Sequence, residues 1–438
     1  MRYIPDAAEG TNVPLRRISG RKPYGFGSSD VFEMADGSMK IAISGAGVAG
    51  PTLAYWLTRA GHRPTLIEQA PQMRTGGYVI DFWGHGYTIA ERMGALPAVR
   101  DSGYGVEEVR FVNRRGRTVG GFDVEVFRAV TDGRFTSLPR GDLAAALYQA
   151  LGRDAEALFD TTIVSLAEHR TAVRVGLSNG DEREFDLVIG ADGLHSAVRA
   201  LAFGEEEQFA RDLGYHVAAF EAVGYAPRDE LVYVSHTEPG RQISRFTERG
   251  DRTLFLFVLD DRWMAGVEPR TLEERKRTLM YACRGMGWEW PGIADCLAAT
   301  DQLYFDTVRQ IHMPAWSKER VALVGDAAAA VSLLAGEGAG LGMLESYVLA
   351  GELAASGGAH RAAFVAYEAR LRAFIHQKQR SAHKFAGFFA PRTAPGLWIR
   401  NQVTRLFGVP AIAKWLVLSD LRDDLPLPDY PFSRPGRR

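Results

Sequence analysis

Gly45, Gly47 and Gly50, followed by a carboxylate at Glu68, are residues whose types and spacing suit one chemistry, the holding of a dinucleotide phosphate. Ile41 and Ile43 read as a short buried strand entering the glycines, and Leu53, Ala54, Trp56 and Leu57 as a helix leaving them. Gly45 permits the tight turn. Gly47 lets backbone approach a pyrophosphate with no Cβ in the way, and Gly50 lets helix and strand pack closely. The phosphates then lie on the helix N-terminus, where free N–H groups and the helix dipole favour negative charge. Pro64 to Glu68 reads as a second buried strand. Glu68 at its end suits two ribose hydroxyls and repels a 2′-phosphate, so FAD or NAD is favoured over NADP at this site.

Other elements must position these groups. The glycine pair Gly76 and Gly77 leads into a short strand and then a helix around Tyr87 to Met93, and Val109 to Val119 alternates about a turn at Asn113 to Gly116, as a hairpin does. Asp142 is the expected N-cap of a helix over Leu143 to Leu151. Strands over 162–177 and 184–189 lead to the run Gly190-Ala191-Asp192-Gly193, with Arg199 beyond it. Strand-like runs over 217–223, 231–235 and 253–258 recur between turn residues and predict a separate, largely antiparallel sheet. Helical spacing follows over 272–283 and 293–298. A buried strand from Arg320 then runs into Gly325 and Asp326, and the glycine-rich run Ala335 to Gly342 opens a long helix. Past Ala390, the apolar residues Leu397, Trp398, Val403, Leu406, Phe407, Ile412, Trp415 and Leu416 predict a helix clamped across the domains.

The chain has 438 residues, enough for two or three domains, and its formal net charge of -1 gives no electrostatic case for nucleic acid or an anionic membrane. Cys283 and Cys296 form neither a CxxC nor a metal spacing, which fits isolated core thiols and a reducing cytoplasm. Residues 1–38 contain no apolar h-region and read as a flexible, linker-like extension. No uninterrupted apolar stretch is long enough for a membrane span, the histidines form no ligand-spaced cluster, so no metal is expected, and no Gly-x-Ser-x-Gly elbow occurs.

Three separated segments, the 45–50 glycines, Asp192-Gly193 with Arg199, and Gly325-Asp326-Ala327-Ala328, resemble the fingerprint, DG and GD motifs of class A, single-component FAD-dependent monooxygenases. Details between them are similar to the tetracycline-inactivating and polyketide-tailoring branch. The resemblance covers about Met39 to Ala390 and implies the para-hydroxybenzoate hydroxylase fold, of class α/β: a Rossmann-like FAD-binding domain interleaved with a mostly antiparallel substrate sheet, plus a C-terminal helix. The expected partition gives 39–108, 133–212 and 305–390 to FAD, 109–132 and 213–304 to substrate, and 391–438 to the terminal helix and tail. The cofactor residues it implies are Gly45, Gly47, Val48, Ala49, Gly50, Glu68, Gln69, Arg74, Gly77, Arg140, Asp192, Gly193, Arg199, Gly325, Asp326, Gly336, Gly338, Ala339 and Gly340. Among them Asp326 is placed to accept from ribityl hydroxyls, Arg140 reaches the flavin side, and backbone N–H groups at 336–340 stabilise charge near the reduced flavin's pyrimidine ring. For Arg199 a structural role is the alternative, and for Arg74 that of a solvated loop residue.

The implied reaction has NADH or NADPH reduce FAD as a transient co-substrate, O2 add to give a C4a-hydroperoxide, and one oxygen atom pass to a hydrophobic, aromatic or polycyclic molecule. Hydroxylation, epoxidation and Baeyer–Villiger insertion all stay open, as do catalytic side chains and oligomeric state. Phe82, Trp83, Phe220, Phe246, Phe255, Phe257, Leu333 and Leu334 are candidate substrate walls, with plain core packing as the alternative for the aromatic ones. This sequence departs from the family where Ala329 to Leu334 replace the usual histidine and prolines, which puts any substrate borrowed from a relative in doubt. A halogenase, a reductase on the same fold, or a protein that holds FAD without turnover are the alternatives. Against the first, no lysine occurs between Lys40 and Lys276, so the essential lysine of halogenases has no counterpart.

Overall fold

The computed structural model describes residues 37–264, 266, 269–407 and 425–432. Residues 1–36 of the expected extension, and Ile412, Trp415 and Leu416 of the apolar tail, lie outside the described residues.

Short apolar runs, Ile41 to Ile43, Leu66 and Ile67, Leu187 to Ile189 and Val321 to Leu323, are fully or almost fully buried, as strands covered on both faces must be. They form a six-stranded sheet in the order Ser317–Lys318, Val321–Leu323, Leu187–Gly190, Lys40–Ser44, Arg63–Ile67, Glu156–Leu158. All pairings are parallel except that of Ser317–Lys318. The register sets Ser44 opposite Gly190 and Gly190 opposite Leu323. Three motifs far apart in the chain therefore leave the sheet side by side, at the carboxyl ends of adjacent strands, where ligands bind in open α/β sheets.

The second large sheet has seven strands, Tyr304–Ile311, Ala210–Val223, Arg252–Asp260, Arg241–Glu248, Val232–Glu238, Glu108–Val112 and Thr118–Asp123. Only Val232–Glu238 and Glu108–Val112 pair in parallel. Alternation divides its two faces. Ala218, Phe220, Phe255 and Phe257 pack with Leu279, Trp290 and Ile293 of the helices Leu272–Ala282 and Trp290–Ala299. Val217, Ala219 and Glu221 occupy the opposite face. The sheet takes in residues 305–311, which the expected partition gives to the cofactor half.

Three further features differ from expectation. Arg241–Glu248 is a strand buried at every position although most of its residues are polar or charged. Its arginines are paired, Arg241 donating to the Ala282 and Arg284 carbonyls and Arg245 to Asp229 and Glu289, while the Thr247 hydroxyl and the Glu248 carboxyl are buried without hydrogen-bond partners among the described residues. Asp142 caps no helix, because the helix Arg140–Leu151 begins before it, and its carboxylate instead accepts from the Gly76 N–H at 2.8 Å. The helix Ala394–Leu406 buries Arg400 and Thr404, while of its apolar residues Leu397 and Val403 are half-buried and Trp398, Ile399 and Leu406 exposed.

No helix among the described residues is long and apolar enough to cross a membrane, and no group of metal-ligating side chains occurs among them. Cys283 and Cys296 are free thiols.

Candidate active site

The three strand ends build one wall of a cavity of about 890 Å³. At the first, Gly45 takes φ +99 and donates to the Ile67 carbonyl at 2.7 Å, and a Cβ there would stand 2.6 Å from the Ala191 carbonyl oxygen. A Cβ on Gly50 would stand 1.9 Å from the Gly45 oxygen, so this glycine serves helix packing and does not line the cavity. No side chain caps the helix Ala49–Arg59, which leaves its first N–H groups to whatever fills the cavity. Glu68 steadies the turn, its two oxygens accepting from Ala46 N–H at 2.7 Å and Ala70 N–H at 2.9 Å; each keeps a lone pair for a hydroxyl donor.

At the second strand end Asp192 faces the cavity but its carboxylate is committed, accepting from Ser196 and Ser44 hydroxyls and the Val198 N–H. Arg199 stands outside the cavity, fully buried, donating to the Leu194 and Ala327 carbonyls and to Glu206. It braces the two motif loops, so its structural alternative is the one the geometry favours. Burial lowers the Arg199 pKa, against the pull of Glu206 and Asp192.

At the third, Gly325 takes φ +63 and its N–H is held at 2.6 Å by Glu345, a carboxyl inside the helix Gly338–Ala355 that also accepts from Tyr367. Burial raises the Glu345 carboxyl well above the usual range. Asp326 and Arg140 both line the cavity, and among the described residues neither has a hydrogen-bond partner for its side chain. Burial raises the Asp326 pKa against Arg140 and Arg199, while the negative charge potential of Tyr78 is the first cause holding the Arg140 pKa up. An acid and a guanidinium that face one cavity without protein partners are groups awaiting a polar ligand.

Of the expected cofactor residues, Gly45, Gly47, Val48, Ala49, Glu68, Gln69, Arg74, Gly77, Arg140, Asp192, Gly193, Gly325, Asp326, Gly336, Gly338 and Ala339 line the cavity. Gly50, Arg199 and Gly340 do not; Gly340 instead lies against Gly86 of the helix Gly84–Arg92. Of the expected substrate walls only Phe220 and Leu333 line it. Phe255 and Phe257 point to the helix-covered face of the large sheet, Phe82 is in the core, and Leu334 packs with Val217 and Val258. Phe246 stacks on Tyr233 at 4.5 Å, and Trp83 on Phe135 at 6.2 Å. The cavity at that end is lined instead by Ile80, Val217, Ala219 and Leu254, with Tyr78, Tyr304, Glu221 and Arg252 among the polar residues. The alternation Val217, Ala219, Glu221 against Ala218, Phe220, Ala222 was the signal that could have found them, since one of the two sets had to face inward.

Residues 38–382 match the family model described as FAD binding domain. The chain belongs to the class A FAD-dependent monooxygenases. An uncharacterized protein of Mycobacterium tuberculosis is 36% identical over 350 residues, 77% of this chain and 91% of the relative. A flavin-dependent monooxygenase of Legionella longbeachae is 30% identical over 405 residues, 90% and 98% of the two chains. The crystal structure of the tetracycline destructase Tet(55) superposes on this monooxygenase with a TM-score of 0.76 at 28% identity, covering 91% of this chain and 100% of that one. The cradle fits FAD: a Cβ-free turn, an uncapped helix start, and an unpartnered acid and base at the far end.

Proposed function

We propose that this monooxygenase consumes NADH or NADPH as a transient reductant and places one atom of O2 in a hydrophobic, aromatic or polycyclic small molecule. The observation that carries the proposal is the continuity of one cavity, which reaches from the glycine turn at 45–49 to the aliphatic face of the large sheet at Val217, Ala219 and Leu254. A cofactor held in the cradle and a substrate lying on that face share one water-excluding space. When bound, FAD supplies electron storage and oxygen activation that no side chain provides.

This chain's own residues bind and orient. The helix start at Val48 and Ala49 receives the pyrophosphate, and Glu68 with Gln69 receives the ribose hydroxyls. Asp326 accepts from ribityl hydroxyls while Arg140 meets acceptor groups beside it. Backbone at Gly336, Gly338 and Ala339 faces the ring end, and Arg74 and Gly77 form the rim. Ile80, Leu254 and Leu333 keep water from the substrate. In this proposal the substrate half carries the seven-stranded sheet to Ile311, and the cofactor half carries the parallel sheet.

The likeness to a tetracycline destructase puts tetracyclines beside polycyclic phenols in the test panel. NADH and NADPH consumption by the FAD-loaded protein is followed with each compound, and products formed under labelled O2 are weighed. Substrate-stimulated consumption with one labelled oxygen in the product is expected. Product without label rejects oxygen insertion, and halogenated product formed from chloride rejects the whole assignment.

A further inference from the structure

Tyr78 follows the glycine pair Gly76-Gly77 and is absent from the cofactor residues that the family resemblance implies, yet it lines the same cavity. Strand alternation puts it there. In the strand Val79–Phe82, Val79 packs with Tyr104 and Phe246 and Asp81 accepts from the Ser137 hydroxyl, while Ile80 lines the cavity, so Tyr78 stands on the cavity face two residues before it. Val79 lies opposite Pro139, and one step on the Arg140 N–H donates to the Tyr78 carbonyl at 3.1 Å. Tyr78 and Arg140 are thus cross-strand neighbours, and their side chains act on each other within the cavity.

The Tyr78 ring leans on Tyr304 of the large sheet, with centroids 5.8 Å apart. The two hydroxyls differ. Tyr304 donates to Asp306 at 3.3 Å, whereas the Tyr78 hydroxyl has no hydrogen-bond partner among the described residues and is not sealed from the cavity. Burial raises the Tyr78 pKa, with Arg140 pulling the other way and Asp326 and Asp306 adding to the rise, so at neutral pH the phenol keeps its proton and is a donor. Asp326, Arg140 and Tyr78 therefore stand together as one acceptor and two donors, each with a side chain unpartnered among the described residues. The acceptor suits hydroxyls along a ligand. Two adjacent donors, one of them cationic, suit a group that gains negative charge, and the ring system of FAD gains it on reduction.

We propose that the Tyr78 hydroxyl donates a hydrogen bond to the ring system of bound FAD, beside the Arg140 guanidinium, and holds the reduced cofactor more tightly than the oxidised one. This deepens the function proposed above and rests on it for the placing of FAD along Asp326 and Arg140. The contact is to the cofactor and needs no substrate.

Tyr78→Phe removes the O–H and keeps the ring that leans on Tyr304, so it is the variant that tests the contact. The full-length protein is stripped of flavin, reloaded and compared with the parent. Three quantities are read: the Kd of oxidised FAD by flavin fluorescence, the midpoint potential of the bound flavin by equilibration with a reference dye, and the Tm of the flavin-free protein. The oxidised Kd is expected to rise about fivefold, the worth of one neutral hydrogen bond, and the reduced Kd about 25-fold, because a bond to a charged acceptor is about twice as strong. That fivefold difference lowers the two-electron midpoint potential by about 20 mV. The Tm of the flavin-free protein stays with the parent's, since the hydroxyl has no partner in the protein to lose. A potential that is unchanged or raised overturns the proposal whatever the oxidised Kd does, and a lower Tm overturns it by giving the hydroxyl a structural task. The monooxygenase reading fails on a different readout, absence of labelled oxygen from product, which leaves the Tyr78 contact standing.

Discussion

Asp326 and Arg140 face one cavity with no side-chain hydrogen-bond partner among the described residues, so a polar ligand there would satisfy them. Replacing Asp326 with Ala is therefore expected to raise the FAD Kd by about tenfold or more, checked by flavin retained after ultrafiltration. Asn keeps an acceptor and should lose less. Glu248 makes a prediction of the opposite kind. Burial lifts its carboxyl to about 7, with Glu221 adding to the rise. A folded pKa above the unfolded one means stability fully present below the ordinary carboxylate value and lost as pH rises through about 7. Glu248→Gln, which cannot ionise, should match the parent in Tm near pH 4 and exceed it by a few degrees at pH 8; a constant offset at both pH values would contradict this. At this scale the cavity positions of Glu68 and Asp326 were legible in the sequence, since strand ends and glycine turns dictate where such groups stand, whereas Arg140 came from the family resemblance alone. Phe255 and Phe257 were not, because residue type says that a ring is buried but not on which face of its strand.

Elements transmit the placement. The helix Gly338–Ala355 reaches back through Glu345 to hold Gly325, so the glycine loop at its start and the Asp326 turn are fixed by one carboxyl. Glycine at position 50 is equally constrained, since a Cβ there would stand 1.9 Å from the Gly45 carbonyl oxygen. Gly50→Ala forces the helix Ala49–Arg59 off the turn, and the expected result is loss of bound FAD with a lower Tm, both read from one purified sample. The helix Ala394–Leu406 offers a gain instead. Arg400 is buried with no hydrogen-bond partner for its three guanidinium nitrogens, lies 3.8 Å over the Phe111 ring, and has its pKa lowered to about 10 by burial. Arg400→Met keeps the packing volume and removes the desolvated charge, so thermal melting should shift upward; a fall would mean that the cation–π contact outweighs desolvation. Periodicity revealed several helices and most strands, but the helix His360–Phe389 and the strand Arg241–Glu248 escaped, the strand because most of its buried residues are polar or charged, which hydrophobic pattern cannot register.

At the scale of the whole molecule, two sheets of different construction enclose one cavity, and their relation depends on contacts that no local sequence pattern specifies. His195 is the clearest. It leaves the loop that carries Asp192 and Gly193, its Nδ1 meeting Glu206 at 3.1 Å and its Nε2 meeting Asp306 at 3.2 Å, and Asp306 belongs to the strand Tyr304–Ile311 of the large sheet. Those two carboxylates, Asp306 first, raise the imidazole to about 10. At neutral pH the ring is a cation tying the cradle loop to the cavity's other wall. Its folded pKa exceeds the ordinary histidine value, so the stabilisation is complete below about 6.5 and fades as pH rises through about 10. The side chain is more than half exposed, which screens the pair and keeps the effect modest. His195→Gln should therefore melt lower than the parent at pH 6 and release FAD more readily, with both differences closing as pH approaches 10.5. A gap that persists unchanged at high pH would show that the ring acts by shape alone, and that the two walls are joined by packing and not by charge.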